Sequence, residues 1–234
     1  MTESNRVDGR NVNRMLYPFL YPPNDAHGAL DNALAEARSS TLQKCGDTTA
    51  LRRQLVAEYA EQMVDAAIAM ADAFRAGGTL FAFGNGGSAT DAQDAAVDCM
   101  VAPVESWRAL PAVALCNDIG VVTGVANDVG FDSVFSRQII ALGRAGDIAL
   151  GITTSGSSRN VLAGLVEARK RGMLTVALVG YDGGAVASDH LADYCFIARL
   201  EYVPRIQEGH ATVWHTLLEL VHACLDERSA DGVP

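Results

Sequence analysis

The segment TLFAFGNGGS, residues 79–88, decides the fold prediction, because it joins a strand to a helix through a glycine-rich turn. TLFAFG (79–84) is a short apolar run that ends in glycine, which is typical of a strand buried on both faces of a parallel sheet. GNGGS (84–88) follows directly, and the residues from 88 to about 102 are predicted to form a helix. A strand, a glycine turn and a helix in immediate succession predict one unit of an α/β fold.

The same unit repeats along the chain. Further apolar runs predict strands at PAVALC (111–116), IALGIT (148–153), LTVALVG (174–180) and within HLADYCFIARL (190–200). Helices are predicted at 49–76, 133–143, 160–172 and 205–227, with a short one within 117–128 and a weaker helical pattern over 29–39. Strands that alternate with crossover helices predict an α/β fold class with one doubly wound parallel sheet.

We predict one domain with short flanking segments. Residues 1–45 are expected to form an N-terminal arm that is partly disordered or packs on a neighbouring subunit, because residues 1–30 lack a sustained period and contain an apolar cluster around Tyr17 and Tyr21. Residues 46–228 are the expected domain, and residues 229–234 are the expected disordered tail.

Charge and composition exclude several classes of function. With 18 Lys and Arg against 28 Asp and Glu, the net charge of −10 argues against direct nucleic-acid binding, which needs a basic surface. Lys44 and Lys170 are the lysines, and neither lies where a desolvated Schiff-base amine is expected. No apolar run is long enough to span a membrane, and the first residues lack the apolar core of a secretory signal. Five scattered cysteines without CxxC spacing indicate reduced thiols, so we predict a cytoplasmic protein with no membrane partner.

Two loops of unusual composition follow predicted strands, where ligands bind in doubly wound sheets. The first is GNGGS (84–88), whose glycines allow a ligand to approach the backbone and whose helix start attracts an anion. It matches neither the GxGxxG dinucleotide motif nor the GxxxxGK[ST] motif of nucleoside triphosphate sites. The alternative is a tight turn that needs glycine only for its geometry.

The second loop is TTSGSS (153–158), which has five hydroxyl side chains in six residues. Such a loop can hold a phosphate without a lysine. The alternative is a helix N-cap, but a cap needs only one of these hydroxyls. Together the two loops predict a phosphorylated small molecule as the ligand.

These motifs carry a family resemblance. GNGGS, a strand followed by NDxG, TSGSSxNV, and RIQE before an apolar helix make the chain resemble the sugar isomerase (SIS) family, most closely its phosphoheptose isomerases, from about residue 49 to residue 225. The resemblance implies a flavodoxin-like SIS domain and a homotetramer with sites between subunits. It also implies a set of substrate-binding residues, namely Asn85, Gly86, Gly87, Ser88, Asp128, Thr153, Thr154, Ser155, Ser158 and Gln207.

The sequence departs from this family at the positions of the chemistry. The family has a His and a Glu four residues apart on the helix after GNGGS, where this chain has Asp94 and Asp98, whereas the later Gln207 and His215 are retained. The four positions commonly hold zinc in the family, so the resemblance implies Zn²⁺ on Asp94, Asp98, Gln207 and His215. An aspartate common just before RIQE is Pro204 here.

The same resemblance assigns the acid/base pair to Asp98 and His215. Aspartate is one methylene shorter than glutamate, a loss of roughly 1.3 to 1.5 Å of reach in a step that depends on close separations. The alternatives are that Asp94 and Asp98 are a surface pair and that His215 is a satisfied core residue.

The function predicted is aldose–ketose isomerisation of a sugar phosphate, with sedoheptulose 7-phosphate and heptose 7-phosphate as the expected pair. The alternative is a non-catalytic SIS protein that binds a sugar phosphate as a sensor or an interaction scaffold.

Overall fold

The computed structural model describes residues 26–230, with side chains from 30 to 226. Its centre is a five-stranded parallel sheet of order β2-β1-β3-β4-β5, the flavodoxin-like order. The strands are β1 Leu80–Gly84, β2 Ala112–Ala114, β3 Ile148–Thr153, β4 Leu174–Gly180 and β5 Tyr194–Ala198. The doubly wound parallel sheet predicted from the sequence is therefore confirmed.

The helices connect these strands on both faces of the sheet. They are α1 Ala26–Arg75, α2 Gly87–Met100, α3 Ile119–Asp128, α4 Val134–Leu142, α5 Arg159–Lys170, α6 Gly184–Ser188 and α7 Val203–Ala230, with a 3-10 turn at Phe131–Ser133. The helical stretches predicted over 29–39 and from residue 49 are parts of one helix, α1, which begins at Ala26, and the five-residue helix α6 was not predicted.

The chain divides into two units between Asp47 and Thr48, within α1. In the described part of the first unit, the side chains from Leu30 to Asp47 are exposed apart from Ala33. The second unit holds the sheet and the other helices. The predicted arm and tail lie largely outside the described residues, so both stay predictions.

Each face of the sheet has its own apolar core. Leu80, Ala82 and Ile148 belong to a cluster with residues of α1, α2 and α7, including Met70, Ala95 and Leu217. Side chains alternate along a strand, so Phe81 and Phe83 belong to the cluster on the other face, with α4 and α5. Burial on both faces explains why β1, β3 and β4 are almost continuously apolar.

The register of the sheet brings two predicted ligand loops to one edge. Gly84 at the end of β1 lies opposite Ile152 of β3, and Thr153 lies opposite Val179 of β4. Because β1 and β3 are neighbours, the loops that follow them emerge side by side. Helices α2 and α7 contact each other on one face of the sheet, below these loops. Within residues 26–230, no helix combines the length and the apolar character that crossing a membrane requires.

Candidate active site

The loop between β1 and α2 is shaped by two glycines. Gly86 has a φ of 57°, in the left-handed region that glycine tolerates best. At Gly87, a Cβ atom would lie 1.9 Å from Nε2 of Gln207, so the Gln207 amide occupies the space that a side chain would need. Two sequence-predicted residues are thus in contact across α2 and α7.

The first loop is tied to the second by a pair of asparagine side chains. Asn85 and Asn160 exchange two amide hydrogen bonds of 2.8 Å each, and the Asn160 side-chain oxygen also accepts from the N–H of Val161. Asn160 is buried in the first turn of α5, directly after the hydroxyl loop. It was not predicted as a site residue, although it is the asparagine of the TSGSSxNV motif.

The hydroxyl loop is organised by its own side chains. The hydroxyl of buried Thr153 lies 3.0 Å from that of Ser158 and 3.4 Å from that of Ser155. Ser158 is the N-cap residue of α5, yet its side chain makes no capping hydrogen bond. Thr154 is half-buried and takes no part in these bonds. Ser158 therefore does not cap α5 as the alternative required, and the hydroxyls of Thr153, Ser155 and Ser158 form a cluster at the start of this helix.

Three aspartates form an acidic face on α2, spaced three and four residues apart. They are Asp91, Asp94 and Asp98. Asp94 is exposed, whereas Asp91, which was not predicted as a site residue, is half-buried. Burial raises the pKa of Asp91 to about 6, Asp94 adds to the rise, and a hydrogen bond with Gln207 opposes it. One carboxylate oxygen of Asp91 is buried and has no hydrogen-bond partner in the described part of the chain. The regular spacing with Asp94 and Asp98 was the signal in the sequence that could have identified it.

The predicted acid/base pair is brought together by α2 and α7. Nε2 of His215 lies 3.7 Å from Oδ2 of Asp98, and their side chains are 63% and 24% exposed. His215 is therefore not a buried core residue. The indole N–H of Trp214 donates a 3.0 Å hydrogen bond to the same oxygen of Asp98.

Two cavities adjoin this pair. A cavity of about 310 Å³ is lined by Asp98, Pro103, Val104, Trp107, His215, Leu218 and Glu219. A smaller one of about 70 Å³ lies between the helices and the sheet, lined by Asp91, Asp94, Ile152, Leu178, His210, Ala211, Trp214 and His215. The first is large enough for an organic ligand beside the pair, and the second is of a size for a few water molecules.

His210 also lines the small cavity, and like Asp91 it has a pKa that burial shifts. It is 1% exposed, and burial lowers its pKa to about 4, which the backbone of Val179 partly opposes. Neither ring nitrogen makes a hydrogen bond of normal geometry to a described residue. His210 is therefore neutral at pH 7.

The four residues implied as zinc ligands are not arranged as a metal site. The Gln207 amide makes a hydrogen bond with Asp91 and packs against Gly87. Oδ2 of Asp98 accepts a hydrogen bond from the indole N–H of Trp214. In the described part of the chain, no three His, Cys, Asp or Glu side chains are grouped closely enough to hold a metal ion. The arrangement does not fit a ready-made zinc site, and zinc stays a prediction.

Asp128 is separate from the other predicted residues. It is exposed at the end of α3, where it accepts a 2.7 Å hydrogen bond from the neighbouring Asn127. No hydrogen bond to a described residue joins it to either loop or to the acidic face.

Known proteins resemble this chain in sequence and in fold. The family model of the SIS domain matches residues 45–180. A phosphoheptose isomerase of Aquifex aeolicus is 46% identical over 73% of this chain and 88% of its own length. One of a Geobacter species is 42% identical over 80% of this chain and 95% of its own length. The solved structure of the phosphoheptose isomerase from Neisseria gonorrhoeae superposes with a TM-score of 0.73 at 35% identity, covering 82% of this chain and 99% of that chain.

Asp91 and His210 should influence the pH dependence of stability in opposite directions. The pKa of Asp91 is raised from 3.8 to about 6, so its stabilising contribution is present below 3.8 and is lost as the pH rises through 6. The pKa of His210 is lowered from 6.5 to about 4, so its contribution is present above 6.5 and is lost as the pH falls through 4. The two terms largely cancel in the wild type between these values.

The Asp91→Asn substitution removes the pH-dependent contribution of Asp91 to stability and leaves that of His210. We expect the variant's free energy of unfolding, measured by urea denaturation, to fall more steeply than that of the wild type on acidification from about pH 6 to pH 4, by roughly 0.5 to 1 kcal/mol per pH unit after allowance for solvent screening. His210→Gln should show the opposite change in slope. Parallel curves for the wild type and Asp91→Asn would contradict the assignment.

Proposed function

The chain belongs to the SIS domain family and, within it, to the phosphoheptose isomerases, and we propose that it interconverts a ketose phosphate and an aldose phosphate. Sedoheptulose 7-phosphate and heptose 7-phosphate are the proposed pair. The observation that carries the proposal is the Asp98–His215 pair beside a cavity of about 310 Å³.

The phosphate of the substrate is proposed to bind at the two loops. Ser88 is buried at the start of α2, and the hydroxyls of Thr153, Ser155 and Ser158 cluster at the start of α5. Helix starts offer unpaired backbone N–H groups to an anion, and hydroxyls add donors that carry no charge. The Asn85–Asn160 pair holds the two helix starts in a fixed relation.

The chemistry is proposed to use Asp98 and His215 as the two proton-transfer groups. Isomerisation moves a proton between C1 and C2, while a second proton moves between the two oxygens. The Asp98 carboxylate takes the proton from one carbon to form an enediol and returns it to the other, and the imidazole of His215 transfers the proton between the oxygens. Each group of this kind contributes typically about 10²- to 10⁴-fold to the rate.

The non-catalytic alternative is not favoured. The isomerases that resemble this chain are matched over most of their own length, so no large part of an isomerase is missing from the comparison. The aspartate that replaces the family's glutamate lies next to His215 rather than isolated on the helix surface. A cytoplasmic location and bound zinc remain predictions.

We also propose that the active site is completed by a second copy of the chain in a homotetramer. Ser88 and Asp98 are separated by ten residues of α2, or about 15 Å along the helix. The resemblance to phosphoheptose isomerases implies sites between subunits, so the phosphate loops of one copy are proposed to act with the acid/base pair of another.

An apolar surface beside the acid/base pair supports this assembly. Val97, Met100, Val101 and Val104 lie at the end of α2 and in the following loop, and are 43% to 72% exposed. Apolar clusters of this kind mark interaction surfaces in soluble proteins. A second copy of the chain would cover them next to Asp98.

The phosphate loops can be tested by removing two hydroxyls. We expect Ser155→Ala combined with Ser158→Ala to weaken the binding of sedoheptulose 7-phosphate at least tenfold by calorimetry, since a hydrogen bond to a charged group contributes about 1.5 to 3 kcal/mol. Ser157→Ala is the matched control, because the Ser157 hydroxyl accepts from the N–H of Ala185 instead. Equal affinities for the double variant and the wild type would place the phosphate elsewhere.

The acid/base pair can be tested by turnover. Asp98→Asn should lower kcat for the isomerisation of sedoheptulose 7-phosphate by at least about 10²-fold and leave its binding within a few-fold, because the amide has the same shape but cannot accept the proton. His215→Ala should lower turnover as well, whereas Asp189→Asn, an exposed aspartate after α6, should not. Turnover that survives both active-site changes would remove the pair from the mechanism. Metal analysis and assay with a chelator test zinc in the same preparations.

The shared site can be tested by mixing two impaired variants. Ser155→Ala with Ser158→Ala has weakened phosphate binding and Asp98→Asn lacks the base, so both are assayed at a substrate concentration well below the wild-type KM. Unfolding and refolding them together should restore about a quarter of the wild-type activity, because one in four randomly formed sites combines the two intact halves. Each variant refolded alone is the control. A mixture as inactive as its components, or a monomer by light scattering, would contradict the shared site.

A further inference from the structure

Trp214 is the only described neighbour that donates a hydrogen bond to Asp98. Its indole N–H lies 3.0 Å from Oδ2 of Asp98, the same oxygen that faces His215 at 3.7 Å. The Trp214 residue is 4% exposed, whereas the Asp98 side chain is 24% exposed. A fixed donor in the core therefore holds a carboxylate at the border of the cavity.

The position of the indole is set by packing. Trp214 belongs to the apolar cluster between the sheet and α7, with Leu217 one turn further along the helix. Close packing of this kind restricts the rotamers that a large buried ring can adopt. The indole has one donor and no acceptor, so its direction determines where the Asp98 oxygen is most stable.

We propose that Trp214 is a positioning residue that holds the short carboxylate of Asp98 for proton transfer. The proposal rests on the proposed function, in which Asp98 is the base. An aspartate reaches less far than a glutamate, so little error in its direction can be tolerated, and a misplacement of about 1 Å can cost about 10²-fold in rate. Trp214 acts through Asp98 and does not touch the substrate.

A structural role is the competing explanation. A buried indole N–H usually has a hydrogen-bond partner, whatever the function of that partner. In that case removal of the donor would lower the melting temperature, and the turnover number of the folded enzyme would stay the same. The two explanations therefore differ in kcat.

The test is removal of the donor without removal of the ring. Trp214→Phe is the simple variant, and a second variant places 3-benzothienylalanine at position 214, where a sulfur atom replaces the N–H in a ring of the same shape. We expect kcat for sedoheptulose 7-phosphate to fall at least tenfold in both, with KM within about threefold, because orientation and not binding is lost. Leu217→Val is the packing control, which should lower the melting temperature and keep kcat.

A double-mutant cycle shows whether the effect passes through Asp98. In the Asp98→Asn background, Trp214→Phe should cause no further loss of residual turnover, because the group it positions is already inactive. Unchanged kcat in the benzothienylalanine variant, or an equal loss in the Asp98→Asn background, would overturn the role of Trp214 while the proposed function stands. A wild type that binds sedoheptulose 7-phosphate without isomerising it would overturn both.

Discussion

The close approach of α2 and α7 at Gly87 is the constraint on which the site depends. The space that a side chain would fill at Gly87 is taken by the Gln207 amide. From this contact the two helices run along the same face of the sheet, so that Asp91 meets Gln207 and Asp98 meets His215. One missing Cβ atom at the start of α2 thus aligns the acidic face with α7.

The parts of the fold with strong local signals were predictable. Strands β3 and β4 begin and end at the predicted residues, because each is an apolar run with clear boundaries. The first part of α1 was predicted only as a separate helix over 29–39, and its continuity through residues 40–48 was not predicted, since the side chains from Leu30 to Asp47 are almost all exposed and carry no apolar period. Helix α6 has only five residues, too few to show a helical pattern.

The sequence predicted which residues belong to the site better than it predicted which of them contact each other. Asp98 and His215 were assigned together from the resemblance, and the structure places them in contact. Trp214 was missed because its bond to Asp98 joins residues 116 positions apart, and no spacing within one helix reveals such a pair. Asp128 was predicted to bind substrate, but it lies at the end of α3, where its side chain accepts a hydrogen bond from the neighbouring Asn127.

The Asn85–Asn160 pair has a consequence for how the protein ages. Asn85 precedes Gly86, and an asparagine before glycine is prone to cyclise onto the next backbone nitrogen, because glycine offers no steric hindrance. Both polar atoms of the Asn85 side chain are held by Asn160, which keeps the amide in a fixed orientation. Deamidation would turn the donor of Asn85 into a carboxylate oxygen and place a negative charge beside the proposed phosphate-binding loops. We therefore expect the two bonds that join the loops to slow a spontaneous reaction that would weaken the binding of a phosphate there.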